Sequence, residues 1–203
     1  MRTFLIVVSL LFSLTFAVAS LPDTRLGRRA NQVIVEECSN VNNATDDLYD
    51  TIMAQKSALD RRPGDVNTNE VVNAFSSSND VLIRMLYTGA TNIQKGQGDV
   101  TPTEADDVMT LREAYALQIQ NITKIVGQDG VFALLGLDGR WAMSFSDSLR
   151  GQRNASDKFS STVVSKMPIS LRGVLNKWHS ESQDSLDDAI RNLVQLTKIQ
   201  RLR

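Results

Sequence analysis

The chain contains one histidine, His179, and one cysteine, Cys38, and these two residues bound most of the chemistry open to it. His179 lies in Trp178-His179-Ser180-Glu181, with Asp184 beyond. Adjacent side chains on one helix splay apart, so a serine, a histidine and an acid this close in sequence do not form a triad. A remote serine such as Ser144 or Ser148 would have to be delivered by the fold, and neither stands in a nucleophile-elbow motif. The acidic pairs Asp46-Asp47, Asp106-Asp107 and Asp187-Asp188 diverge on a helix and read as solvated surface, and no calcium-loop spacing occurs. The glycines between residues 127 and 139 precede no phosphate-cradling lysine. The chain is expected not to be an enzyme and to hold no metal or cofactor.

What remains is apolar chemistry. Residues 127–149, GQDGVFALLGLDGRWAMSFSDSL, put large apolar side chains on a glycine-punctuated connector where turns are normally polar. Such a connector is expected to be buried. Either it plugs the end of a helical bundle, or it helps to line a hydrophobic cavity or contact face. On the second reading Phe132, Leu135, Trp141 and Phe145 are the candidates for lining a lipid site. Met85, Met109, Met143 and Met167 offer adaptable apolar linings, and Trp141 and Trp178 fall at stripe margins where an indole meets both oil and water.

These residues must be positioned by long helices. Apolar residues recur at steps of three and four over about residues 30–59, 68–93, 105–126, 139–166 and 169 to about the C-terminus. The first stripe runs Ile34, Cys38, Val41, Thr45, Leu48, Ile52 and Leu59. The second runs Val71, Val72, Phe75, Leu82, Leu86 and Ile93, with Gly89 and Ala90 allowing close approach. The third carries Val108, Leu111, Tyr115, Ile119, Ile122 and Val126 and stops at Gly127, read as a left-handed terminator. The fourth reads Ala142, Phe145, Leu149, Ser156, Val163 and Met167, with smaller and more polar members than the rest. The fifth, after Pro168, reads Leu171, Leu175, Ser182, Leu186, Ala189, Ile190 and Leu193. Pro63-Gly64 and Gly96 with Gly98 break the pattern, and Asn67 with Glu70 and Thr101-Pro102-Thr103-Glu104 offer capping boxes. Period-two alternation is absent, so the fold class is all-α: an elongated, mostly antiparallel bundle of about five long helices.

Three sequons stand on these helices, at Asn43, Asn121 and Asn154. At about 100° per residue each asparagine points away from its apolar stripe, as a glycan requires.

The N-terminal residues supply the setting. Arg2, the apolar run over residues 4–18 and Ala17-Val18-Ala19 read as a signal peptide over residues 1–20. The run is too short to span a bilayer and Leu21-Pro22-Asp23 follows it, so no transmembrane anchor is expected. Residues 21–29 end in Arg28-Arg29 and are either a propeptide cut at that dibasic site or a solvated arm. Residues 30–203 then form a single domain. Without residues 1–29, four arginines and one aspartate drop from 22 basic and 23 acidic residues, leaving 18 against 22. Nothing here attracts nucleic acid; the positive tail of Lys198, Arg201 and Arg203 complements a helix C-terminus. One cysteine permits no internal disulfide, and Cys38 on its apolar stripe reads as a small buried hydrophobe.

The order of these features resembles the fungal cell-wall galactomannoprotein family, which includes the hydrophobic surface-binding proteins. The resemblance runs from Val33 to about Leu193 and is carried by VIVEECSNVNNATDDLYDTI, by LQIQNITKIVGQDGVFALLG, and by SFSDSLRGQRNASDKFSSTVVSKMP before a long final helix. It implies a secreted, all-α, non-catalytic protein that binds hydrophobic surfaces or fatty-acid-like lipids in a helical bundle. It carries over no ligand residue, because the family has no sharp binding motif. The Ser/Thr/Pro-rich tail and anchor signal of some members do not occur, which puts covalent attachment to the cell wall in doubt. The competing expectation is a secreted effector or structural cell-wall protein acting through protein or polysaccharide contacts.

Overall fold

The computed structural model describes residues 29–61, 67–127 and 139–200, without the side chains of residues 139, 140, 199 and 200. The signal peptide, residues 21–28, the Pro63-Gly64 break, the connector residues Phe132 and Leu135, and Arg201 and Arg203 lie outside the described residues.

Five helices carry the stripes: α1 Ala30–Arg61, α2 Thr68–Lys95, α3 Asp106–Gly127, α4 Gly139–Lys166 and α5 Ile169–Gln200. No described helix is long and apolar enough to cross a membrane. The start of α2 is held by Asn67, whose Oδ1 accepts from the Asn69 N–H at 3.0 Å while its Nδ2 donates to Glu70 Oε1 at 3.2 Å. Glu70 therefore grips the cap's side chain and not its backbone. The second box forms as read, with the Thr101 N–H and Oγ1 both donating to Glu104 Oε2, at 3.2 and 2.7 Å. It closes a 3-10 turn, Pro102–Glu104, and α3 begins only at Asp106; such tight turns commonly lead into helix N-termini.

The helices pack in a closed circuit, α1 against α2, α2 against α4, α4 against α5, α5 against α3, and α3 back against α1. Successive helices reverse direction, but the circuit also sets like-directed helices side by side. Asn42 bonds Leu111 O and Gln118 bonds Asp46, so α1 and α3 run together. Asn79 meets Ser148 while Gly89 meets Phe159, so α2 and α4 run together too. A five-membered ring of helices with neighbours 8–10 Å apart leaves opposite axes about 15 Å apart. Only long side chains can meet across such a ring, and α3 and α4 stand opposite each other.

One end of the ring is sewn shut by main-chain bonds. The Ala30 N–H donates to Gln97 O at 3.1 Å and the Val100 N–H to Lys166 O at 2.9 Å, and Lys166 Nζ adds bonds to the carbonyls of Gly96 and Gly98. Gly98 at φ +80° makes the turn there. The other end holds the last residues of α3 and the first of α4.

Two readings are corrected. Gly127 has no positive φ and is no left-handed terminator; it is small because α5 lies against it, and a Cβ there would sit 2.7 Å from Ala189 Cα. Met85 and Met143, at 39% exposure each, look outward, whereas Met167 is buried.

Candidate functional site

The inward face of α4 is more polar than those of the other helices. Along α4, before Met167, the buried positions are Ala142, Phe145, Ser146, Leu149, Gln152, Ala155, Ser156, Phe159, Ser160, Thr162 and Val163. Serines at helical spacing on an inward face need partners, and α3 supplies two of them from across the ring. Tyr115 Oη donates to Ser156 Oγ at 3.0 Å, and Arg112 Nη2 donates to Ser160 Oγ at 2.5 Å. Burial pushes the Tyr115 hydroxyl above its ordinary pKa, with the Ser156 bond and Arg112 opposing.

Arg112 is the unusual member. It is 4% exposed, its guanidinium lies 4.9 Å from the Tyr115 ring centroid and 5.3 Å from that of Phe159, and its Nη1 is buried with no hydrogen-bond partner. Among the described residues it makes no ion pair. Glu37, a buried carboxylate on α1, is engaged by Asn92 Nδ2 at 2.7 Å. Other inward polar atoms also lack partners, among them Ser146 Oγ, both amide atoms of Gln152 and Asn79 Oδ1.

Toward the end with Gly127 and α4's first turns the interior holds more large apolar side chains, with Ser146 and Thr123 buried among them. Phe75 and Phe145 pack with ring centroids 4.5 Å apart at 51°, amid buried Leu48, Ile52, Ile119 and Ile122. Phe145 is thus an interior residue, while Trp141 is half-buried at the margin of the core. Phe132 and Leu135 lie outside the described residues, so the structure places two of the four candidates and leaves the other two aside.

No triad forms around His179. Its Nε2 is 3.0 Å from Asp157 Oδ1, and its Nδ1 is buried without a partner. Burial lowers its pKa against the opposing Asp157 hydrogen bond. Ser148 is taken by Asn79 Nδ2 at 2.8 Å. No group of His, Cys, Asp and Glu among the described residues could hold a metal ion. Cys38 is free and buried, and desolvation pushes its thiol up to about 12. Asn43, Asn121 and Asn154 are exposed.

No protein-family model and no curated protein sequence matches the chain, but solved structures do. Ligand-binding domain 1 of the Penicillium marneffei MP1 protein, complexed with arachidonic acids, is 18% identical at a TM-score of 0.60, over 79% of this chain and 98% of that one. Domain 2 of the same protein, complexed with multiple arachidonic acids, is 16% identical at a TM-score of 0.57, over 76% of this chain and 94% of that one. At these identities the likeness is one of fold: this chain folds as those helical bundles do.

Proposed function

We propose that the chain is a secreted, non-catalytic protein that binds fatty-acid-like lipids, or the hydrophobic surfaces that present them, through the interior of its helical ring. The observation that carries this reading is the ring itself. The opposite helices α3 and α4 meet through the side chains of Arg112, Tyr115, Ser156 and Ser160, and most of the buried residues are apolar, in a fold shared with domains complexed with arachidonic acids. Removing an acyl chain from water contributes about 0.8 kcal/mol per methylene, so partial enclosure of a long chain gives micromolar affinity after association costs. The sequence resemblance to cell-wall galactomannoproteins supports the same assignment and an extracellular, wall-associated setting.

Solvent extraction of the purified chain followed by mass spectrometry tests the reading. A lipid carrier retains a stoichiometric acyl ligand. A protein acting only through its outer helical faces, as an effector or structural wall component would, yields none.

A further inference from the structure

Arg112 makes sense on this reading if the ligand is an acid. A guanidinium carries five N–H donors in a planar fork, yet in this interior Nη2 alone finds an acceptor, the neutral Ser160 hydroxyl, and Nη1 finds none. A buried charge is normally paired or neutralised, and arginine cannot neutralise itself by losing a proton. Its surroundings offer aromatic faces and hydroxyls, with Tyr115 and Phe159 flanking it, and among the described residues no carboxylate lies within ion-pair distance.

Its height in the ring also matters. Arg112 stands six residues after the start of α3, about 9 Å from the sewn end at 1.5 Å per residue, and fifteen residues, about 22 Å, before Gly127. The long run carries the large apolar side chains of Ile119, Ile122, Phe75 and Phe145, with Asn79, Ser146 and Gln152 buried along it as well.

We infer that Arg112 is the docking point for the carboxylate of a long-chain fatty acid, an inference that rests on the lipid-binding function proposed above. The carboxylate takes the free Nη1 donor, with the Ser156 and Ser160 hydroxyls one turn apart beside it, and the acyl chain runs along the axis toward the end where α3 and α4 are joined. A guanidinium and a carboxylate make a charge-assisted hydrogen-bonded pair, and a neutral headgroup leaves the guanidinium without an ion-pair partner. Arg112 therefore selects free acids over alcohols and esters of the same chain length.

The test is calorimetric titration of the delipidated full chain at neutral pH with palmitate, hexadecanol and hexadecyl sulfate. Palmitate is expected to bind at least about tenfold more tightly than hexadecanol, the smaller effect seen for a hydrogen bond to a charged group. Arg112→Met should remove that difference by weakening palmitate about tenfold to a hundredfold while leaving hexadecanol within about threefold. Arg112→Lys, which keeps the charge without the fork, should fall between. Equal affinity of the unmodified chain for acid and alcohol overturns the anchor and leaves the lipid-binding function standing, and this comparison decides the matter even if a variant fails to fold. Unchanged palmitate affinity in folded Arg112→Met also overturns it. Tighter binding of hexadecyl sulfate than of palmitate overturns the choice of a carboxylate. Binding of none of the three removes the lipid-binding function and the anchor together.

Discussion

Gly127 at the end of α3 and Ala189 in α5 are packed so closely that a Cβ on the glycine would lie 2.7 Å from the alanine's Cα and 2.9 Å from its Cβ. Asn192, a turn further along α5, donates to the Gly127 carbonyl at 3.2 Å and fixes the approach. The neighbour in the way is helix backbone, which cannot swing aside as a flexible side chain would. Overpacking of this kind costs about 1–3 kcal/mol, while alanine for glycine in a helix returns up to about 1 kcal/mol. Gly127→Ala should therefore be less stable by about 1 kcal/mol net, read as a lower urea midpoint at unchanged slope. A variant as stable as the parent would show that α3 and α5 are not locked at this point.

Cys38 should be inert while the chain is folded. It is buried, and desolvation raises its thiol to about 12 against the opposing pull of Arg112, so the reactive thiolate is scarce at any ordinary pH. A thiol reagent at pH 8 is expected to label one equivalent in urea and almost none in native buffer. Rapid native labelling would contradict the placement of Cys38 in the core.

His179 gives stability a direction with pH. Burial lowers its folded-state pKa below that of the unfolded chain, and the Asp157 hydrogen bond opposes this without reversing it. The unfolded state then binds more protons in the window between the folded value and about 6.5, so stability rises with pH there. The contribution of His179 is fully present above that window and is lost as pH falls through it. Urea midpoints at neutral and mildly acid pH should differ in that sense, and His179→Gln should flatten the difference. A steeper slope in the variant would contradict the assignment.

The sequons offer a check on export. Asn43, Asn121 and Asn154 are exposed on three different helices, and the secreted setting proposed above makes them acceptors. Enzymatic deglycosylation of exported material should lower its mass. An unchanged mass would mean that the sequons are idle.

The helices were legible because each repeats its apolar residues at 3.6-residue spacing, and even the polar fourth stripe produced the predicted span. The interior was less so, because polar residues at stripe positions were read as gaps. Asn79 stands between Phe75 and Leu82, Gln152 between Leu149 and Ser156, and Ser160 between Ser156 and Val163; all are fully buried. Arg112 falls four residues after Val108 and three before Tyr115, so spacing alone puts it on the inner face. Leu111, the stripe residue read at this turn, is only partly buried against the core, and arginine is a residue type seldom found buried. The circuit left no local signal at all. Nothing in the stripes says that α2 neighbours α4 or that α3 and α4 face each other across the axis, since that order is set by how five apolar faces close on one another.

The central claim, a lipid held inside the ring, is tested most directly by titrating the delipidated full chain with palmitate at several temperatures. The account predicts saturable, near-stoichiometric binding at micromolar affinity or better, with a negative heat-capacity change, the robust mark of apolar surface leaving water. Absence of saturable heat, or binding with no heat-capacity change, would contradict it.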